Sequence, residues 1–203
     1  MSFDRRADTW DASDRRQALA EAAARAIKTT FPLRSDMVLL DVGAGTGLLT
    51  RRLLPDVGRV VAVDPSAGML ARLDEALSDR KDRVQSVHGD IMAYRCDGCF
   101  DGIVSSMTIH HIPDTRRLLE HLHALLKPGG FLAVADLMPE DGTFHDHGNE
   151  GVHHFGFEEK ALTKLTEEAG FEGVNYRKIF TVDKGEGRNY GIFLLTARRA
   201  VRP

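Results

Sequence analysis

The chain has 203 residues, 42% of them hydrophobic and 28% charged, with a formal net charge of −3. That length predicts one domain, residues 1–203, with a sizeable core and no room for a second catalytic domain. The mild acidity and the lack of a polybasic run exclude a general pull toward nucleic acid. No apolar stretch reaches the roughly 20 residues that span a bilayer. The N-terminal M-S-F-D-R-R-A-D-T-W lacks an apolar signal core. The expectation is a cytoplasmic protein with no membrane partner. Monomer and homodimer are equally open.

In chain order, the first periodic segment runs from about Ser13 to Ile27. It is rich in Ala and Arg, and Leu19, Ala20, Ala23 and Ile27 share one helical face. Next comes V-L-L-D-V-G-A-G-T-G, Val38–Gly47. An apolar run ends in Asp41 and Val42, glycines follow at 43, 45 and 47, and helical spacing begins at Leu48 and stops at Pro55. This predicts a buried strand, a tight loop and a helix start. A loop without Cβ atoms lets a ligand lie against backbone.

A dinucleotide loop reads G-x-G-x-x-G and seats a pyrophosphate on the helix N-terminus. Here Leu48 stands where the third glycine of that pattern falls, and Asp41 would repel a pyrophosphate. The carboxylate suits a ligand with a positive centre, as in the ammonium and sulfonium of S-adenosylmethionine. Asp41, Gly43, Gly45 and Gly47 match position by position the D-x-G-x-G-x-G motif of the class I S-adenosylmethionine-dependent methyltransferases, which the sequence resembles at this point.

Arg59–Val63 reads as a second buried strand ending at Asp64, followed by Pro65 and a helix capped by Ser66 with Met69, Leu70 and Leu73 inward. An acid at the carboxyl end of a parallel strand suits vicinal ribose hydroxyls. Val84–His88 is a third strand, leading into Gly89, Asp90 and Ile91. The resemblance implies that Asp90 accepts from the adenine amine while Ile91 packs on the ring. Cys96 and Cys99 sit in a polar turn before the next strand and are expected to be two incidental thiols, because a structural zinc needs four ligands.

Phe100–Ser106 is the fourth strand. It runs into Met107, Thr108, Ile109, His110 and His111, which resembles the F-D-x-x-x-S-x-x-x-x-H-H pattern of the ubiquinone- and menaquinone-biosynthesis methyltransferase group. Asp114 caps a helix with Leu118, Leu119, Leu122 and Leu125 on one face, stopped at Lys127–Gly130. Phe131–Ala135 is a fifth strand ending at Asp136. Residues 138–156 form a long polar loop carrying His145, His147, His153 and His154, and a loop this long is expected to serve the substrate side. A helix over Phe157–Ala169 and two strands, about Val174–Val182 and Tyr190–Ala197, complete the chain.

The resemblance implies an α/β, Rossmann-like three-layer sandwich with a mostly parallel seven-stranded sheet and an antiparallel last strand. It implies S-adenosyl-L-methionine as cofactor, held by Asp41, Gly43, Ala44, Gly45, Thr46 and Gly47, by Asp64, Pro65 and Met69, by Gly89, Asp90 and Ile91, and by Ser105, Ser106 and Met107. It further implies that residues 1–30 form a helical lid. Trp10 either closes that lid over the cofactor or simply anchors the segment to the core. The expected reaction is in-line methyl transfer to a small-molecule acceptor, with His110, His111 and His154 as candidate bases. A non-catalytic cofactor-binding or partner-docking module is the alternative. No metal site is assigned, although Asp136, His145, His147 and His153 or His154 are suitable ligand types.

Overall fold

The computed structural model describes residues 3–146 and 148–201. The buried apolar runs become strands β1 (Val38–Val42), β2 (Arg59–Asp64), β3 (Val84–His88), β4 (Phe100–Ser106), β5 (Leu126–Leu137), β6 (Phe171–Asp183) and β7 (Asn189–Arg199). The amphipathic stretches become α1 (Ala7–Trp10), α2 (Asp14–Thr30), α3 (Leu48–Leu53), α4 (Ala67–Ala76), α5 (Thr115–Leu125) and α6 (Glu159–Glu168). They build one seven-stranded sheet in the order β3-β2-β1-β4-β5-β7-β6. The first five strands are parallel, and β7 runs antiparallel between β5 and β6.

Alternation along the strands sorts their side chains to two cores. Leu39 faces the core under α2, α3 and α4, and its neighbour Leu40 faces the core under α5 and α6. In β5, Ala133 and Ala135 go to the first, Leu132 and Val134 to the second. The leucine stripe of α5 is wholly buried. Each such leucine contributes about 1.5–3 kcal/mol relative to exposure. The caps form as read: Ser66 Oγ accepts from Met69 N at 3.2 Å and Asp114 Oδ1 from Arg117 N at 2.9 Å. Among the described residues no helix is long and apolar enough to cross a membrane.

Several boundaries move for local reasons. Helix α2 continues to Thr30, where Thr29 and Thr30 hydroxyls donate back to Ala26 O. Strand β5 starts at Leu126, because Leu126 pairs with Phe100 and a bulge absorbs Lys127–Gly130 before Phe131 pairs with Gly102. Helix α6 starts at Glu159, since Phe157 N is held by Leu137 O at 2.9 Å. Strand β6 starts at Phe171. Cys96 and Cys99 are not independent thiols. They are paired across the Asp97–Gly98 turn, with Cα atoms 6.0 Å apart, and lie outside the main cavity.

The strand order reverses between β1 and β4. Crossovers on opposite faces leave a crevice there at the carboxyl ends of the strands, beside the paired residues Val42 and Ser105.

Candidate active site

The glycine loop fills that crevice. Gly43 N and Ala44 N donate to Val63 O at 2.8 and 3.2 Å, which lays the loop across the tip of β2. Gly43 has φ +67°, and a Cβ there would fall 2.2 Å from the Thr108 side chain. Gly45 has φ +55°, and a Cβ there would meet nothing within 4 Å, so its backbone lies open to whatever enters. Gly47 serves packing instead: a Cβ would meet Leu73 at 2.9 Å.

Two carboxylates frame the loop. Asp41 is 1% exposed and accepts from Thr50 Oγ1 at 2.6 Å. Burial pushes its pKa up to about 7; the Thr50 bonds oppose the shift and the Asp64 charge adds to it. Asp64 accepts from Gly45 N and Ser66 N, both at 2.8 Å, and burial raises its pKa against those two bonds. Both acids line a cavity of about 530 Å³, and neither has a cationic side-chain partner among the described residues.

Ala44, Thr46, Pro65, Met69, Ser106 and Met107 also line this cavity, with Gly43 and Gly45. Met107 holds φ +57°, a conformation rare for a side-chain-bearing residue, and its N–H donates to Ala135 O at 2.8 Å. Gly47, Gly89, Asp90, Ile91 and Ser105 stand outside the lining. Ser105 is fully buried and donates to Val42 O at 2.8 Å, tying β4 to β1. Asp90 is exposed and caps the short turn Ile91–Ala93 through Met92 N, while Ile91 is buried in the α5-side core.

The N-terminal segment supplies part of the cavity wall, including Phe3, Arg6 and Trp10. Trp10 lines the cavity, with the Arg16 guanidinium 3.9 Å and the Arg6 guanidinium 4.9 Å from its ring centre. Three acids fasten the segment. Asp4 accepts from Ser66 Oγ at 2.6 Å and Gly68 N at 2.9 Å. Asp8 pairs with Arg72. Asp11 accepts from Thr46 Oγ1 at 2.5 Å and pairs with Arg51. Trp10 is half-buried and lines the cavity, while the acids of the segment make its ties to α4 and the glycine loop.

The opposite wall carries imidazoles. His110 is 1% exposed, and its Nδ1 lies 2.6 Å from Asp136 Oδ1. Asp136 is completely buried; its Oδ2 collects the N–H groups of Thr108 and Ile109, and its Oδ1 that of Leu137. Burial opposes ionisation, but His110 and these bonds hold its pKa below the usual range. His111 Nδ1 lies 2.7 Å from Gly151 O. Burial, then the neighbouring His110, lowers the His111 pKa. His145 joins them from the 138–156 loop, with ring centres 5.2 Å from His110 and 5.6 Å from His111. Burial, His110, His111 and Lys184 push its pKa down to about 4.

The other histidines are elsewhere. His154 is outside the lining, with Nε2 3.0 Å from Ile112 O and 3.2 Å from Thr115 Oγ1, so it braces the loop. His153 is exposed, and His147 lies outside the described residues. The metal grouping of Asp136, His145 and His153 or His154 is therefore not assembled: Asp136 is a buried acceptor behind His110. The sequence reading missed Phe3, Thr108, Phe144 and Lys184, which also line the cavity. The histidine-rich composition of the loop was the signal for His145; no local pattern marks Phe144 or Lys184.

Residues 39–130 match the family model described as a methyltransferase domain. An uncharacterized methyltransferase of Mycobacterium tuberculosis is 38% identical over 126 residues, 62% of this chain and 59% of that protein. The phosphoethanolamine N-methyltransferase 2 of Caenorhabditis elegans is 36% identical over 111 residues, covering 53% of this chain and 25% of that protein. The chain thus spans about three-fifths or less of the curated relatives it matches. Among solved structures, the complex of the Haloferax volcanii Trm112 methyltransferase activator with a methyltransferase matches with TM-score 0.78 at 20% identity, covering 98% of this chain and 97% of that one. The Burkholderia thailandensis 1,6-didemethyltoxoflavin-N1-methyltransferase, bound to 1,6-didemethyltoxoflavin and S-adenosylhomocysteine, matches with TM-score 0.74 at 25% identity over 91% of this chain and 79% of that one.

Proposed function

We propose that the chain is a class I S-adenosylmethionine-dependent methyltransferase that moves the sulfonium methyl group of S-adenosylmethionine to a small-molecule acceptor. One observation carries this reading. Asp41 and Asp64 are buried acids that line one cavity with the open Gly45 backbone and have no cationic side-chain partner among the described residues, and a cationic nucleoside without phosphate supplies the missing charge.

In this reading the ammonium end settles near Asp41 and the ribose hydroxyls donate to Asp64. Pro65 and Met69 flank the nucleoside, and the adenine reaches past the cavity lining to Gly89 and Asp90 at the neighbouring strand tip, backed by buried Ile91. The Ser105–Met107 backbone borders the methionine portion, and the N-terminal segment with Trp10 closes above it. Alignment of an acceptor heteroatom with the methyl group and exclusion of water do most of the catalytic work. The sulfur leaves as a neutral thioether, and the acceptor loses a proton. The imidazoles at the cavity wall, His110 and His111, are placed to help that proton leave. His154 is too occupied to share the task. A cavity of about 530 Å³ and the aromatic ligand of the Burkholderia enzyme both favour a small acceptor.

Calorimetric titration with S-adenosylhomocysteine and with NAD tests the cofactor. Binding of NAD alone would overturn the proposal. A screen of small nucleophiles that follows S-adenosylhomocysteine release tests turnover; tight cofactor binding without turnover on any acceptor would favour a cofactor-sensing module.

A further inference from the structure

We propose that His110, His111 and His145 form a binding site for a divalent late first-row transition ion, zinc-like in its ligand preference, on the acceptor side of the cavity.

One nitrogen from each of the three rings lies within 4.8 Å of the others. The hydrogen-bond partners decide which nitrogens carry lone pairs. A carboxylate oxygen sits 2.6 Å from His110 Nδ1, so that nitrogen donates and a neutral ring keeps its lone pair on Nε2. A carbonyl oxygen sits 2.7 Å from His111 Nδ1, with the same consequence. Among the described residues, His110 Nε2 is buried without a hydrogen-bond partner, and so is His145 Nδ1. Two buried ring nitrogens without partners, in rings that line the same cavity, are costly for a folded protein to keep. A single cation satisfies both.

The surroundings have the features of a metal centre. A buried carboxylate behind a ligand histidine orients the ring and raises its basicity, and Asp136 stands in that relation to His110. Asp136 is itself held by four backbone N–H groups, from Thr108, Ile109, His110 and Leu137, so the orienting group is fixed. Gly151 O does the same for His111. Three imidazoles with an open fourth position are the ligand set of a catalytic zinc site, and imidazole also suits copper, iron and nickel. Metal–nitrogen bonds of about 2.0–2.1 Å require the ring nitrogens to draw together. His145, on the 138–156 loop, is the residue placed to move inward.

All three rings line the cavity, so the open coordination position faces the acceptor. This role rests on the methyl-transfer reading, whereas binding of the ion does not. An acceptor X–H would bind the ion through X and release its proton to solvent. The X lone pair would then attack the sulfonium methyl carbon while the C–S electron pair returns to sulfur. With the ion bound, the imidazoles are ligands, and the proton-accepting role proposed above for His110 and His111 passes to solvent.

The test uses the full chain, stripped with a chelator and dialysed, then titrated with Zn²⁺ against a competing indicator and with Co²⁺ followed by visible absorption. The expected result is one equivalent bound tighter than about 10 μM, with a Co²⁺ spectrum of four- or five-coordinate intensity. His145→Ala and His111→Ala are each expected to weaken binding about 100-fold or more, and His88→Ala, on β3, to leave it unchanged. Binding weaker than about 10 μM, or binding that survives both ligand variants, overturns the proposal. S-adenosylhomocysteine affinity is measured on the same samples. Metal without cofactor binding would remove the proposed function and leave the metal site, and the reverse result would do the opposite.

Discussion

Replacing Asp41 with Asn separates what the carboxylate does to the fold from what it does for the cofactor. Its folded pKa is about 7 against 3.8 for the unperturbed group, chiefly because burial disfavours the anion. The folded state therefore holds a proton that the unfolded chain releases. The stability contributed by this protonation is complete below about pH 4 and is lost as pH rises through about 7. At about 1.36 kcal/mol per pKa unit, the ionised carboxylate costs the empty protein on the order of 4 kcal/mol at pH 8. Asn keeps an oxygen for the Thr50 hydroxyl and cannot ionise, but its amide N–H₂ needs an acceptor, a penalty of about 1–3 kcal/mol. The variant is expected to be more stable than the parent at pH 8 by about 1–3 kcal/mol, and not more stable at pH 4. Its affinity for S-adenosylhomocysteine should fall by about 1.5–3 kcal/mol, since a bond to a charged group is lost. The parent's affinity should itself weaken by about tenfold per pH unit below 7. Urea unfolding at the two pH values and calorimetry across the range measure all three. If Asp41→Asn gains no more at pH 8 than at pH 4 while cofactor affinity stays at the parental value, the account of the buried charge is wrong.

Asp64→Ala removes the acceptor of Gly45 N and Ser66 N as well as the proposed ribose contact, so cofactor affinity should drop by about 1–3 kcal/mol, read by calorimetry. Trp10→Ala should weaken cofactor binding while leaving the urea midpoint nearly unchanged, because the acids of the segment, not the indole, hold it to α4 and the glycine loop; a large midpoint shift with unaltered binding would make Trp10 an anchor only. Gly102→Ala would put a Cβ 2.3 Å from the Phe131 ring, which stacks on Phe31 at 4.1 Å, and the overpacking should cost about 1–3 kcal/mol in unfolding experiments with cofactor affinity retained.

Much of the glycine-loop end of the site could be read before any coordinates, because its signals are local. The D-x-G-x-G-x-G spacing, an acid at the tip of β2, and caps at Ser66 and Asp114 each act within a few residues. The leucine stripe of α5 obeys the same rule, as periodicity on one element reports the face it buries. The histidine wall was harder. His110 and His111 were visible as a pair, yet their relation to His145 and Asp136 depends on a loop folding back over β5 and on β5 lying beside β4. His154, equally plausible by residue type, is turned to bracing Ile112 and Thr115. Asp136 looked like a ligand by type and is instead the buried acceptor that orients His110.

The amino-acid sequence by itself determined the order of strands and helices, the glycine loop and the acids at the strand tips, since each follows from hydrogen bonding and apolar periodicity over a handful of neighbouring residues. Tertiary structure alone decided which side chains share the cavity, which nitrogens are left without donors, and how far Asp41 is removed from water. Those properties arise from segments distant along the chain excluding solvent together, and no local pattern of residues carries the dielectric they create.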